Sequence, residues 1–288
     1  MLNHPSHDRW IICPHPRPDH RLRLFCFSYA GGGASLFRSW SEDLPTDIEV
    51  CAIQLPGRES RLAEPPLSSM RAIVDALSTR LAACLDGPFA FLGHSMGALV
   101  AFELACELRR RHMPGPTHLV LSAHPAAHLP PRRPPLHQLD TDLFIERIRA
   151  MGGTPAEVFQ SPELVDLMLP SIRADFTVCE TYVPRDEPPL DCRITALGGI
   201  ADPDVDESSL WAWSALTRER PFSVRLFPGG HFFIREQQQV LLQTISQELR
   251  DSSLTLNAPV LGAHPPAHDA WQPGRGRRRP EPRCPPRL

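Results

Sequence analysis

Along the chain, short continuous apolar runs alternate with stretches whose apolar residues recur at helical spacing. The runs lie at 22–28, 48–54, 89–92, 117–123, 192–198 and 222–227. Runs this short and largely apolar predict strands, and 89–92 has the look of a buried one. Helical patterns occupy 36–44, 67–85, 96–111, 210–216 and 234–249. In 67–85 the apolar positions are Met70, Ile73, Val74, Leu77 and Leu81, with Ser68 or Ser69 placed to start the helix. Strands alternating with helices predict an α/β fold, with a mostly parallel sheet covered on both faces.

The alternation breaks between 124 and 190. Pro130-Pro131-Arg132-Arg133-Pro134-Pro135 excludes regular structure, and helical patterns follow at 142–150 and 162–182 with no strand between them. Helices inserted between two core strands of an α/β enzyme form a lid, here expected over about 130–190. Its apolar positions Leu164, Leu167, Met168, Ile172 and Phe176 either line a pocket or pack the lid onto the body. Residues 1–21, rich in Pro, His and Arg, read as a loose lead-in with no targeting signal. Residues 251–288, rich in Pro and Arg, read as a disordered tail. That leaves one domain over 22–250.

Composition narrows the chemistry. A net charge of −3 on 288 residues argues for neither nucleic acid nor a membrane surface, and no stretch approaches the length of an apolar membrane span. All 30 basic residues are arginine, which excludes a P-loop lysine and Schiff-base chemistry. The eight cysteines are scattered without zinc-type spacing, and several fall inside apolar runs, as reduced thiols of a cytoplasmic protein would. His124 and His128 are four apart, but Pro125 spoils a helix between them and no third ligand is spaced for zinc.

The run at 89–92 enters Gly93-His94-Ser95-Met96-Gly97, and a helix pattern follows at once. A serine on so sharp a strand-to-helix turn is thrust clear of the sheet, with a helix N-terminus behind it that favours negative charge. A second glycine-rich turn, Tyr29-Ala30-Gly31-Gly32-Gly33-Ala34-Ser35, follows the first run. It fits neither common phosphate-loop pattern and reads as a loop donating an oxyanion N–H.

A nucleophilic serine needs a base and an acid that orients it, here in the chain order Ser, acid, His. His231, in Pro228-Gly229-Gly230-His231, follows the last strand and precedes the last helix, which suits the base. The acid belongs in the loop after 198. Asp202 lies nearest the strand end, Asp204 is the alternative, and Asp206 is placed to cap the next helix. His94 adjoins the serine, but neighbours on such a turn point apart, so it reads as structural.

These motifs occur together with Leu55-Pro56-Gly57-Arg58-Glu59-Ser60-Arg61, Gly152-Gly153-Thr154-Pro155, Ile172-Arg173-Ala174-Asp175 and Gly229-Gly230-His231-Phe232. Over about residues 20–250 the chain resembles the type II thioesterases, stand-alone α/β-hydrolases that serve polyketide, nonribosomal peptide and some fatty acid synthases. The resemblance implies hydrolysis of acyl thioesters on the phosphopantetheine arm of carrier proteins. It implies Ser95, Asp202 and His231 as the triad, with the N–H groups of Ala30 and Met96 as the oxyanion hole. It implies no cofactor or metal, and transient carrier-protein partners met in trans in the cytoplasm. Two rivals are an esterase of free small-molecule esters and a binding module that kept the fold.

Overall fold

The central strands are buried because both faces of the sheet are covered there. In the computed structural model, which describes residues 8–219 and 222–256, a seven-stranded sheet has the order β1-β3-β2-β4-β5-β6-β7. The strands are β1 (Ile11–Ile12), β2 (Leu22–Phe27), β3 (Ile48–Ile53), β4 (Phe89–His94), β5 (His118–Ser122), β6 (Arg193–Gly199) and β7 (Ser223–Phe227). All neighbours pair in parallel except β1, which is antiparallel to β3. The helices are α1 (Trp40–Asp43), α2 (Met70–Leu81), α3 (Met96–Arg110), α4 (Thr141–Met151), α5 (Pro162–Glu180), α6 (Glu207–Trp211), α7 (Phe233–Glu236) and α8 (Gln238–Leu256).

Side-chain alternation divides the core into two layers. Phe25, Phe27, Phe89 and Phe91 point to the face covered by α2 and α3 and meet edge to face. Leu24, Cys26, Ala90 and Leu92 point to the opposite face, covered by residues of α1 and α8. Strand order reverses between β2 and β4, which opens a crevice beyond their C-terminal ends where α/β sheets bind ligands. Both glycine-rich turns of the sequence empty into that crevice.

The expectation of a loose lead-in is corrected over its described part. Ile11 pairs with Ile53 and Ile12 with Ala52, Gln54 N–H donates to Trp10 O at 2.9 Å, and Trp10, Ile11 and Cys13 are buried. The Arg61 guanidinium lies 4.1 Å from the centre of the Trp10 ring. Two strand residues between prolines and histidines carry no periodicity, so only tertiary burial reveals them. At the other end α8 continues to Leu256, past the expected boundary at 250. The remaining expectations for 1–7 and 257–288 lie outside the described residues.

Between β5 and β6 stand α4 and α5, as the pattern predicts. Asp140 and Ser161 cap them through the Leu143 and Leu164 N–H groups, and Gly152 closes α4 at φ 75°. Met168, Ile172 and Phe176 pack with Phe144 and Ile148 in a small cluster of their own, whereas Leu164 and Leu167 remain 44% and 49% exposed. The five apolar positions therefore divide between inner packing and the outer surface.

Candidate active site

Ser95 leaves β4 at φ 56°, ψ −120°, a region that costs a non-glycine residue on the order of 1–3 kcal/mol. Its surroundings hold it there. Ser95 N–H donates to Ser122 O at 2.7 Å, and Ser95 O accepts from Ala98 N–H at 2.9 Å. A Cβ on Gly93 would lie 2.0 Å from Gly97 O, and one on Gly97 would lie 2.1 Å from Phe27 O. The two glycines of the motif thus let the elbow close against the end of β2.

The loops after β6 and β7 clasp each other through their backbones. Ile200 N–H donates to Phe227 O and Ala201 N–H to Gly229 O, each at 2.9 Å. Gly199 has no room for a side chain, since a Cβ there would sit 2.3 Å from Gly230 O. This clasp places His231 between two side chains. His231 Nδ1 lies 2.7 Å from Asp202 Oδ2, and Nε2 lies 2.9 Å from Ser95 Oγ. A carboxylate can only accept, so Nδ1 carries the proton and Nε2 is left to accept from the serine hydroxyl. The Asp202 side chain is fully buried, and its second oxygen accepts from Asp204 N–H at 2.9 Å.

The other two aspartates are turned elsewhere. Asp204 pairs with Arg133 and Asp206 with Arg132, both from the proline-rich segment. Asp206 also caps α6 through Ser209 N–H at 2.8 Å, which with Ser208 Oγ holds its carboxyl well below the usual range. The structure therefore brings Asp202, and not Asp204, to His231.

His94 braces this arrangement from below. Its Nε2 donates to His231 O at 2.9 Å, so its Nδ1 accepts from Ser122 Oγ at 2.8 Å. Complete burial, and next the charge of His231, push its pKa well below the ordinary histidine value. A ring held toward its neutral form thus fixes the backbone of the His231 turn.

Ala30 lies in the turn after β2, and Met96 is the first residue of α3, where a helix leaves its N–H without an intrahelical acceptor. Other N–H groups of the glycine loop are already engaged. Gly31 N–H donates to Asp175 Oδ2 at 2.7 Å, Ala34 N–H to Gln54 Oε1 at 2.9 Å, and Ser35 N–H to Glu59 Oε1 at 3.2 Å. Two carboxylates among these acceptors would repel a phosphate, so the loop is unsuited to a nucleotide. Arg58, Glu59 and Asp175 lie in motifs that carry the family resemblance, but nothing in their spacing signals these contacts. Among the described residues no group of three or more His, Cys, Asp or Glu side chains could hold a metal. His124 instead bonds Pro125 O at 2.6 Å.

At the rim, Tyr29 meets the rings of His94 and Phe232 edge to face. Arg235 donates to Tyr29 Oη and reaches Gly153 O of the lid at 3.3 Å. A Cβ on Gly153 would lie 2.5 Å from the Phe232 ring, so the lid touches the residue after His231.

Sheet order, elbow and helical insertion are those of the α/β-hydrolase fold. The thioesterase domain family matches residues 22–249, and the chain belongs to that family. It is 43% identical over 243 residues to the gramicidin S biosynthesis protein GrsT of Aneurinibacillus migulanus, covering 84% of this chain and 94% of that one. The RedJ thioesterase of the prodiginine pathway in Streptomyces coelicolor superposes with a TM-score of 0.76 at 39% identity, covering 81% of this chain and 92% of RedJ. BorB, the type II thioesterase of the borrelidin biosynthetic cluster, gives 0.75 at 34%, covering 84% and 97%. No helix among the described residues is long and apolar enough to cross a membrane.

Proposed function

We propose that the chain is a serine hydrolase that clears acyl groups from the phosphopantetheine arm of carrier proteins, acting in trans beside a polyketide, nonribosomal peptide or fatty acid synthase. The observation that carries this reading is the hydrogen-bonded line from Asp202 through His231 to Ser95, at a strained elbow, in a chain of the thioesterase family. Relatives named for gramicidin S biosynthesis and the borrelidin cluster support the pathway class. Seven free cysteines among the described residues accord with a reducing, cytoplasmic setting.

In this mechanism His231 Nε2 takes the Ser95 Oγ proton as Oγ bonds to the thioester carbonyl carbon. Charge gathers on the carbonyl oxygen, which accepts from the Ala30 N–H in the turn after β2 and from the Met96 N–H at the N-terminus of α3. Asp202 stabilises the imidazolium that forms. Collapse of the tetrahedral species breaks the C–S bond, and His231 gives its proton to the leaving thiolate. Water then gives a proton to the same ring as its oxygen bonds to the acyl carbon; the C–Oγ bond breaks, Ser95 Oγ takes that proton back from His231, and the acid is released.

The test compares an acyl-phosphopantetheinyl carrier protein with the matched oxygen ester. Faster turnover of the carrier-bound thioester is expected. A strong preference for the free ester would identify an esterase instead.

A further inference from the structure

The turn that carries Ala30 is held by side chains from two separate parts of the chain. From the loop after β3, Gln54 and Glu59 take the Ala34 and Ser35 N–H groups, and Arg58 Nη1 donates to Gly32 O at 3.2 Å. The remaining contact comes from the lid. Asp175, on α5, accepts from Gly31 N–H at 2.7 Å and binds Arg58 through both oxygens, at 2.6 and 2.8 Å. Its side chain is fully buried. One turn earlier on the same helix, Ile172 presses on the turn, for a Cβ on Gly31 would meet Ile172 Cγ1 at 3.0 Å.

These contacts determine where the Ala30 N–H points. Tyr29 O accepts from Gly32 N–H at 2.9 Å, which closes a tight turn. In a planar trans peptide the N–H points opposite to the carbonyl, so the Ala30 N–H faces out of that turn. Gly31 sits at φ 78°, and the peptide joining Ala30 to Gly31 is fixed by the bond to Asp175. Both peptide planes flanking Ala30 are then set, one by the turn and the other by the lid helix.

We infer that Asp175 and Arg58 are a positioning pair, through which docking of the lid helix α5 aligns the Ala30 N–H with the developing oxyanion. This rests on the role given to Ala30 under Proposed function. The pair touches no reacting atom, so its removal slows turnover without weakening substrate binding. A displaced donor lowers kcat by about 10²-fold, the scale of a misplacement near 1 Å.

The test replaces the whole pair. An Arg58→Met/Asp175→Leu variant leaves no buried charge alone, and such exchanges are tolerated in folded proteins. Its kcat should fall about 10²-fold with KM within about threefold of wild type. Affinity for an alkylboronic acid, which places a tetrahedral oxygen in the oxyanion site, should fall in step with kcat/KM, a change that a structural role alone would not produce. A folded double variant with kcat within about threefold of wild type, or unchanged boronate affinity beside a reduced kcat, overturns the inference. If the double variant does not fold, Asp175→Asn, whose amide sets a donor against the Arg58 guanidinium in place of one carboxylate oxygen and so breaks the pair that holds the carboxylate on Gly31 N–H, decides the matter. About a tenfold loss in both kcat and boronate affinity supports the pairing, and wild-type values refute it. Each protein is assayed on an acyl-pantetheine thioester and on a p-nitrophenyl ester. Indifference of the wild type to the thioester would count against the proposed function, while the ester rate would still report on the Ala30 donor.

Discussion

The loops bearing Ser95, Asp202 and His231 leave β4, β6 and β7 of one sheet, with β4 and β6 buried between two large apolar layers, whereas α4 and α5 share a cluster centred on Phe144, Ile148 and Ile172. In the body, position is enforced by backbone. Ser95 is fixed by Ser122 O, and the acid and base loops by their mutual carbonyl contacts. In the lid, position near the site depends on a few side chains, chiefly Asp175, Ile172 and the contact of Gly153 with Phe232. Regions with few buried contacts open at lower free energy than core strands. The proposed chemistry thus sits on the part held by backbone contacts, and the lid is the part proposed to select the acyl group.

The largest expected effect lies in the body. Asp202→Asn should lower kcat on the order of 10⁴-fold, because asparagine favours the wrong His231 tautomer and cannot stabilise the imidazolium. Asp204→Asn should leave turnover nearly normal, since Asp204 faces Arg133. Steady-state kinetics of the two variants would move the acid to Asp204 if the ranking came out reversed.

At the seam with the lid, Gly153→Ala should shift the kcat/KM ratio between short and long acyl thioesters about tenfold, as its methyl group displaces Phe232. The fold should be undisturbed. An unchanged ratio would place acyl selection in the body, near Tyr29 and Met96.

A last effect, on stability rather than turnover, separates the two regions by pH. Burial lowers the pKa values of His94, of His118 to about 3 and of His124 to about 4, all on β4, β5 or the loop beyond. In the unfolded chain each takes a proton near pH 6.5, so below that pH the unfolded state binds more protons and folding weakens. From pH 7 to 5 the unfolding free energy of the body should fall by up to about 1.4 kcal/mol per pH unit for each histidine. His118→Gln should flatten that slope by one such increment. Urea titrations at several pH values would contradict this by giving a constant free energy.

Much of this was legible in the residues themselves. The runs at 22–28, 48–54, 89–92, 117–123, 192–198 and 222–227 became β2 to β7, because short, largely apolar segments without helical spacing mark strands. Glycines flanking Ser95 and His231 marked close backbone approaches, and the chain order of serine, acid and histidine led to groups the fold does bring together. What stayed hidden depends on contacts far apart in sequence. β1 exists because Trp10 and Ile11 find a sheet edge. The bond of Asp175 to Arg58 crosses 117 residues, and no local pattern announces it. Position at the strand end already favoured Asp202 over Asp204, but the pairing of Asp204 with Arg133 left no sign in the sequence.

Trapping the intermediate tests the central claim most directly. The protein is mixed with an acyl-phosphopantetheinyl carrier protein, quenched within one turnover and digested, and the peptide containing Ser95 is weighed. That peptide should carry the acyl group in place of the Oγ proton. Ser95→Ala should show no adduct and a rate lower by about 10⁴- to 10⁶-fold. An acyl group on another residue, or a Ser95→Ala rate above roughly a tenth of wild type, would contradict Ser95 as the nucleophile.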